Sequence, residues 1–223
     1  MALRPRKTFS RTFGNKIVTA PAVEPVTLAE AKEHMRITDD DSNGFITALI
    51  VEARQVLEAI TGVSFITQTW LLTIDNWPGA SNSWWSGTRE GAISDMFGGY
   101  AAVEMPRYPL QSITGINVYD EAGNATAVTV SDVFDVDTES RRGKIVLKSG
   151  ASWPIALRPS NAIKVTYVAG YGDAAADVPA ALKRAIRVMV AYMFEHRGTC
   201  GMTQAYNDSG ARQIMTLYRD MEI

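Results

Sequence analysis

The sequence predicts an α+β fold, in which a small helical body formed by the N- and C-terminal segments carries an inserted antiparallel β-sandwich or barrel-like region. Two segments near opposite ends of the chain repeat apolar residues with the 3.6-residue period of an amphipathic helix. Between them, short runs of β-branched and aromatic residues alternate with Gly, Pro and Asn, as in strands joined by turns. Each helical segment has an apolar stripe that needs a cover, so we expect the two to pack together.

The predicted organisation has four parts. They are a basic N-terminal arm (1–22), a helical body (23–62 and 173–200), an inserted β region (63–172) with a long Trp-rich loop (75–101), and a C-terminal docking tail (201–223).

The composition is that of a globular protein, with 223 residues, 46% hydrophobic and 21% charged. A chain of this length buries a sizeable core without disulfides or a structural metal, and a lone cysteine, Cys200, cannot form an internal disulfide. The net charge of −2 gives the whole molecule no electrostatic reason to bind nucleic acid. No secretory signal and no run of about 18 apolar residues is found, so we expect no membrane partner.

The N-terminal arm is basic. Its ionisable residues are Arg4, Arg6, Lys7, Arg11 and Lys16, and no acid occurs before Glu24. Because it also lacks apolar periodicity, we expect an arm without regular structure of its own that becomes ordered on a partner. The alternative is an untethered tail.

Two helices are predicted after the arm. Thr27 and Glu30 have the spacing of a capping box at the start of a helix from Leu28 to about Met35. A second helix follows, because apolar residues recur at helical spacing, and Gly62 should end it. Its predicted stripe consists of Phe45, Ile46, Leu49, Ile50, Ala53, Val56, Leu57 and Ile60.

Short strands are predicted in the β region. The first is "FITQTWLLTI", and "SITGINVY" and "ATAVTV" form a hairpin in which Gly123 supplies a positive φ. Further strands are predicted in "VFDVD", "GKIVLKSG" and "AIKVTYVAG". Strands and turns this close together favour an antiparallel sheet structure.

Helical periodicity returns near the C terminus. Pro179 fits the first turn of a helix that Gly198 ends, and its apolar stripe consists of Leu182, Ile186, Met189, Val190, Met193 and Phe194. The last segment places Ile214, Leu217, Tyr218 and Met221 at helical spacing over about three turns. A helix this short is marginal alone, so we expect it to dock on another surface.

Three candidate chemistries have simpler structural explanations. Gly170, Gly172 and Ala175 match G-x-G-x-x-A, but no parallel strand follows to complete a dinucleotide-binding unit. His196 and Cys200 suggest a thiol and its base, but Gly198 separates them. Calcium binding by the acids of the middle region competes with their place on the wet face of strands; these acids are Asp120, Glu121, Asp132, Asp135 and Asp137. We expect no catalytic residue, no metal and no cofactor.

Trp84 and Trp85 lie in the Trp-rich loop. Loops of this length usually bind something, and tryptophans anchor protein partners or stack on sugars. Packing back on the chain's own sheet is the other possibility. We expect partner contact.

Seven segments, taken in order, resemble the phage head-tail connector family, the head-completion adaptors of long-tailed phages and related gene transfer agents. They are "PVTLAEAKEHMRI", "LIVEARQVLEAITGVSFITQTW", "MPRYPLQSITGINVYDEAGN", "GKIVLKSGASWP", "IKVTYVAGYG", "VPAALKRAIRVMVAYMFEHRG" and "IMTLYRD". The resemblance covers residues 25–219, and its specificity lies in the order and spacing of the segments.

The resemblance implies a structural protein and no enzyme. Its members assemble as a ring, commonly of twelve copies, beneath the portal protein, and double-stranded DNA passes through the ring without sequence-specific binding. Head-closure (stopper) or tail proteins are the other neighbours. It implies a virion neck protein assembled in the host cytoplasm, with the inserted β region giving each subunit lateral surface.

The resemblance also implies site residues. The C-terminal segment that grips the portal corresponds to Ile214, Met215, Leu217, Tyr218 and Arg219. The basic arm and the Trp-rich loop look longer than the family leads us to expect, and we place both at contacts with other subunits or neck proteins. Those possible contacts are Arg4, Arg6, Lys7, Arg11, Trp84 and Trp85.

The alternative function is a virion-associated β-sandwich module that recognises carbohydrate or a receptor through the tryptophans. A hydrolase would require activity at His196 or Cys200. Neither accounts for the two helical segments and the short docking tail.

Overall fold

The computed structural model describes residues 13–77, 102–152, 158–198 and 201–218. The chain divides into two compact units, which we call the helical unit and the β unit. The helical unit comprises Val18–Thr69, Pro106–Gln111 and Val168–Ile223, and the β unit comprises Met1–Ile17, Trp70–Met105 and Ser112–Tyr167. Residues 106–111 and 168–172, which the sequence analysis assigns to the β region, therefore belong to the helical unit.

The described elements follow one another along the chain with short connections. They are β1 (Phe13–Thr19), α1 (Leu28–Met35), α2 (Asn43–Thr61), β2 (Gln68–Ile74), β3 (Ala102–Glu104), β4 (Leu110–Tyr119), β5 (Ala125–Val128), α3 (Val130–Val133), β6 (Phe134–Asp137), β7 (Lys144–Leu147), β8 (Ile163–Ala169), a 3₁₀ helix (Ala175–Asp177), α4 (Ala180–Glu195), α5 (Met202–Asp208) and α6 (Ala211–Thr216).

The start of α1 has the predicted capping box. The Thr27 hydroxyl accepts a hydrogen bond from the Glu30 amide (3.2 Å), and the Glu30 carboxylate accepts one from the Thr27 amide (2.7 Å). These bonds satisfy two of the amides that a helix start leaves without intrahelical partners. The bonds from the Thr27 backbone and hydroxyl, opposed by partial burial, lower the pKa of Glu30.

The core of the helical unit is built on the two predicted apolar stripes. The buried residues of α2 include Ile46, Leu49, Ile50, Ala53 and Leu57, and those of α4 include Leu182, Ile186, Met189, Val190 and Met193. Both sets belong to one cluster of buried side chains. Burying each large aliphatic side chain contributes about 1.5–3 kcal/mol. The predicted helical body from distant segments is confirmed.

The predicted stripe of α2 is too wide at its ends. Phe45 and Ile60 are 41% and 36% exposed, because they lie at the margin of the buried face. Gly62 ends α2 as predicted, with φ 78°, and its amide donates to the Glu58 carbonyl (2.9 Å). A left-handed residue at this position is the usual stop signal of a helix.

The β unit contains two open sheets. One has five strands in the order β1-β2-β8-β4-β5, and the other has three in the order β3-β7-β6 with antiparallel pairing. Burial alternates along β2 and β8, which is typical of strands with one face on a core. The described strands do not close into a barrel, so the α+β class is confirmed and the barrel-like form of the prediction is not.

The β4–β5 hairpin agrees with the prediction. The strands pair antiparallel from Ile116↔Val128 to Tyr119↔Ala125. Gly123 has φ 86°, and the Asp120 carboxylate accepts a hydrogen bond from the Asn124 amide (2.8 Å) inside the turn. Hydrogen bonds from the Asn124 side chain and backbone lower the pKa of Asp120.

Two local predictions are wrong. The arm was expected to lack regular structure, but Phe13–Thr19 forms the outer strand β1, since its backbone hydrogen-bonds to β2 and the Asn15 side chain accepts a bond from the Tyr167 hydroxyl (3.0 Å). The strand predicted from Phe65 begins at Gln68, because the Phe65 amide donates to the Glu58 side chain instead of to a strand (2.8 Å).

Candidate partner-binding site

The C-terminal segment folds onto its own helical unit. Gly210, with φ 84°, turns the chain between α5 and α6. Ala205 and Tyr206 of α5, and Ala211 and Met215 of α6, are buried in the cluster that contains the stripes of α2 and α4. The prediction that this short segment needs a surface to dock on is therefore met, in part, within the same chain.

The residues that the resemblance assigns to portal binding differ in exposure. Met215 is fully buried (0% exposed), so its side chain contacts the chain's own core. Ile214 and Tyr218 are half-buried against that core, whereas Leu217 is 76% exposed. Arg219 lies outside the described residues. Of the four that are described, Leu217 is the one that presents a mostly accessible apolar side chain.

Tyr108 ties the end of the C-terminal segment to the helical unit. Its hydroxyl lies 2.7 Å from the Thr61 carbonyl oxygen and 3.0 Å from the Tyr218 carbonyl oxygen, and its single hydrogen serves both acceptors. The ring itself is buried, 4% exposed. The backbone at Tyr218 is thus held beside the C-terminal end of α2.

Arg107, the residue before Tyr108, also acts on the end of α2. Its guanidinium donates to the Glu58 carbonyl oxygen. The last carbonyls of a helix lack intrahelical donors, and a cation there also complements the helix dipole. The segment "MPRYP" therefore does more than open the β4 strand, because it supplies two side chains that satisfy carbonyls at the C-terminal end of α2.

A buried ion network lies on the inner side of α2. The Arg54 guanidinium donates to the two carboxylate oxygens of Glu24 (2.7 and 3.1 Å) and to the carboxylate of Glu58 (2.9 Å). The other carboxylate oxygen of Glu58 accepts bonds from the Phe65 amide (2.8 Å) and the Gln68 side chain (2.7 Å). Arg54 and Glu58 are each only 5% exposed.

The network joins three stretches of the helical unit through one carboxylate. Burial raises the pKa of Glu58, although the Arg54 charge and the hydrogen bonds oppose that rise. The sequence analysis missed this network. The available signal was the pair Arg54 and Glu58 at i, i+4 spacing inside the apolar stripe of α2, where charged residues are rare unless paired.

An aromatic cluster lies at the exposed margin of the helical unit. The rings of Phe45 in α2 and Phe194 in α4 are 6.1 Å apart. The Arg197 guanidinium lies 4.0 Å from the Phe194 ring centroid and 4.8 Å from that of Phe45. The cation covers an apolar edge that would otherwise face solvent.

Several predicted contact residues cannot be placed. The arm residues Arg4, Arg6, Lys7 and Arg11 lie outside the described residues, as do Trp84 and Trp85. Their proposed contacts with other subunits or neck proteins stay predictions.

The glycines of the G-x-G-x-x-A match have structural explanations. Gly170 has φ 143°, and a Cβ there would lie 2.6 Å from the backbone of Ile66 and Thr67. A Cβ at Gly172 would overlap the Asp177 side chain, which accepts a hydrogen bond from the Ala174 amide (3.0 Å). Both positions exclude larger residues because of close packing, independent of any phosphate.

The other candidate chemical groups also have local partners. The His196 ring stacks on Tyr192 with centroids 4.1 Å apart, and its Nδ1 lies 2.9 Å from the Tyr192 carbonyl oxygen. Cys200 lies outside the described residues. The Asp137 carboxylate accepts bonds from the hydroxyl and amide of Ser140 (2.6 and 3.0 Å), which lower its pKa. Within the described ranges, no three His, Cys, Asp or Glu side chains are grouped as metal ligands would be.

Among the described helices, none is both long and apolar enough to span a membrane.

Residues 25–83 match the family model described as "Phage gp6-like head-tail connector protein". No curated protein matches the chain. Among solved structures, the chain is similar to a protein in the neck of an empty gene transfer agent (GTA) particle computed with C6 symmetry, at 19% identity over 94% of this chain and 97% of that one, with a TM-score of 0.70.

Two further structures show the same likeness. One is the virion of a native GTA particle (19% identity, 94% of this chain and 96% of that one, TM-score 0.68), and the other is the neck of a native GTA particle computed with C12 symmetry (18% identity, 94% and 97%, TM-score 0.66). At this identity the likeness establishes the fold. The family match names a connector, a structural protein and not an enzyme, as expected from the sequence. The predicted resemblance to the head-tail connector family is thus confirmed over residues 25–83, on a fold similar to that of GTA neck proteins.

Proposed function

We propose that this protein is a structural head-tail connector that assembles with copies of itself into a ring in the neck of a phage-like particle. The observation that carries the proposal is the likeness, over 94% of the chain, to a GTA neck protein with a TM-score of 0.70. The connector-family match over residues 25–83 supports it independently of the fold. Two of the similar structures were computed with C6 and C12 symmetry, which is what a cyclic assembly of six or twelve copies requires.

In this proposal the ring lies beneath the portal, contacts a head-closure or tail protein on its other side, and lets double-stranded DNA pass through its centre. The duplex must slide during packaging and ejection, so the ring must not hold it tightly. Each phosphate that a Lys or Arg neutralises adds affinity through counterion release. A chain with a net charge of −2 suits a channel that does not retain DNA. The assembly would form in the host cytoplasm and end in the virion neck.

The C-terminal segment is the proposed portal contact, with Leu217 as its central residue. An apolar side chain that is 76% exposed loses little by leaving water for a partner's pocket and gains the free energy of burial. Ile214 and Tyr218 flank it and are half-buried. Met215 contributes indirectly, because its burial anchors α6 to the helical unit. Arg219 would add a charge at the rim of the contact.

The assembly is tested by measuring the mass of the purified chain, alone and mixed with the portal protein of the same particle. We expect a closed oligomer of defined copy number, alone or on the portal. A chain that stays monomeric under both conditions contradicts the ring. If that monomer also binds glycans with a change in tryptophan fluorescence, the carbohydrate-binding alternative is favoured.

The portal contact is tested separately with Leu217→Asp. We expect this variant to keep its fold and its self-association but to lose attachment to the portal, since a carboxylate would have to be buried unpaired. The matched control is Gln213→Asp, which adds the same charge at an exposed position of the same helix. Portal attachment by Leu217→Asp at the level of the control would refute this assignment.

A further inference from the structure

The five-stranded sheet of the β unit ends in two outer strands, β1 on one side and β5 on the other. Neither has a further strand beside it among the described residues. Ala125, Thr126 and Ala127 of β5 are exposed, and in β1 Ile17 and Val18 are 39% and 57% exposed. Open strand edges pair readily with another chain unless they are covered or carry repelling charges.

The backbone of β5 presents hydrogen-bonding groups outward. The Tyr119 amide donates to the Ala162 carbonyl (2.8 Å), and the Tyr119 carbonyl accepts from the Arg158 amide (3.0 Å). Both backbone groups of Tyr119 thus point away from β5, so Tyr119↔Ala125 is a pair without hydrogen bonds between its members. In an antiparallel ladder the pattern alternates, and the amides of Ala125 and Ala127 therefore point toward the open side.

The two edges carry opposite charge. Residues 1–23 contain five basic residues and no acid, and one of them, Lys16, is exposed on β1. Residues 110–140, which include β4, β5 and the start of the second sheet, contain six acidic residues and no base. Glu121 and Asp132, on either side of β5, are exposed.

Some bases from other segments lie close to this acidic stretch. Lys148 lies 3.6 Å from the Asp135 carboxylate, and Arg158 and Lys164 lie over the Tyr119 ring at 4.5 and 4.7 Å. They offset part of the negative charge near β6 and β4. Glu121 and Asp132 are therefore the better candidates for contact with a basic partner.

We propose that the β1 edge of one copy pairs with the β5 edge of the next copy, so that the five-stranded sheets of neighbouring subunits join. The inference rests on the proposed function, because it specifies the lateral contact of that ring. The two edges lie on opposite sides of one sheet, so the contact is head-to-tail, the kind of contact that closes into a ring. Like charge disfavours β1 against β1 and β5 against β5, which leaves the basic edge with an acidic neighbour.

The backbone contact is tested with Ala127→Pro in the full chain. Proline removes the outward amide of Ala127 but none of the bonds between β5 and β4, and proline is tolerated on edge strands when its nitrogen faces solvent. We expect an unchanged thermal unfolding profile and dissociation between copies that is weaker by about tenfold or more, as measured by sedimentation. The control is Ala127→Val, which keeps the amide and should assemble normally.

The charge contact is tested by reversal. Lys16→Glu with Arg11→Glu should weaken assembly, as should Glu121→Lys with Asp132→Lys, and the chain carrying all four changes should assemble again, because both edges are reversed together. Rings that form unchanged from Ala127→Pro and from both reversed pairs would overturn the edge contact and leave the ring intact. A wild-type chain that stays monomeric, alone and with portal, would overturn the edge contact and the proposed function together.

Discussion

Replacing Arg54 with Met should destabilise the helical unit by about 3–5 kcal/mol near neutral pH, the usual cost of leaving a buried charge without its partner. Arg54 donates three hydrogen bonds to two carboxylates, at 2.7, 3.1 and 2.9 Å, and is 5% exposed. Methionine is similar in length and fills the volume, so the cost comes from the carboxylates left behind. Of these, Glu58 cannot reach water, being also 5% exposed.

The loss should depend on pH in a specific direction. Burial already raises the pKa of Glu58, and the Arg54 charge is the main influence that lowers it. Without Arg54 the pKa of Glu58 in the folded state rises further above its ordinary value of 4.5. A carboxyl group with a raised pKa in the folded state costs no stability below its unfolded pKa and progressively more as the pH rises through the folded pKa. The deficit of Arg54→Met should therefore shrink on acidification from about pH 7 toward about pH 4.5.

The assay is urea unfolding of four chains across that pH range: wild type, Arg54→Met, Glu58→Gln and the double variant. Glu58→Gln removes the buried negative charge but keeps an oxygen that accepts from the Phe65 amide, so the double variant should be more stable than Arg54→Met alone near neutral pH. Arg184→Met, an exposed site on α4, controls for loss of a cation. A deficit for Arg54→Met that is absent, or that does not change with pH, would refute the reasoning.

Two further predictions concern the helical unit. Gly170→Ala should cost at least about 1–3 kcal/mol in urea unfolding, because the residue has φ 143° and its Cβ would press on the backbone of Ile66; Gly198→Ala, where a Cβ meets nothing within 4 Å, should be close to neutral, and equal stabilities would count against this. Tyr108→Phe should cost about 1 kcal/mol and speed amide exchange in residues 211–218, since the hydroxyl contacts the Tyr218 carbonyl; unchanged exchange there would show that the contact does not hold the segment.

The helices were predictable from the sequence because their signals are local. The Thr27 and Glu30 capping box, the apolar period of α2 and the stop at Gly62 each depend on residues within a few positions of one another. The hairpin at Gly123 was predictable for the same reason. Elements that depend on distant neighbours were not. The strand β1 exists because its backbone pairs with β2, and its own sequence carries little strand periodicity.

The functional candidates divide in the same way. The resemblance identified the C-terminal segment, but only tertiary structure separates Met215, which is buried, from Leu217, which is exposed. The ion network joins Glu24, Arg54 and Glu58 over a separation of 30 residues, and no local rule links Glu24 to α2. The sequence did contain one non-local signal, the segregation of basic and acidic residues, although its meaning needed the strand order of the sheet.

That segregation bears on how a ring can combine firm lateral contacts with a weak hold on DNA. The net charge of −2 conceals five basic residues within residues 1–23 and six acidic residues within residues 110–140. If neighbouring copies join by their β1 and β5 edges, each basic segment is paired with an acidic one at the subunit boundary, and fewer free cations are left to bind phosphate in the channel. The same pairing would make assembly sensitive to salt, because exposed charges are screened within about 10 Å at 0.1 M ionic strength. A ring built on buried apolar helix faces alone would show little such sensitivity, so the salt dependence of the oligomer distinguishes the two modes of assembly.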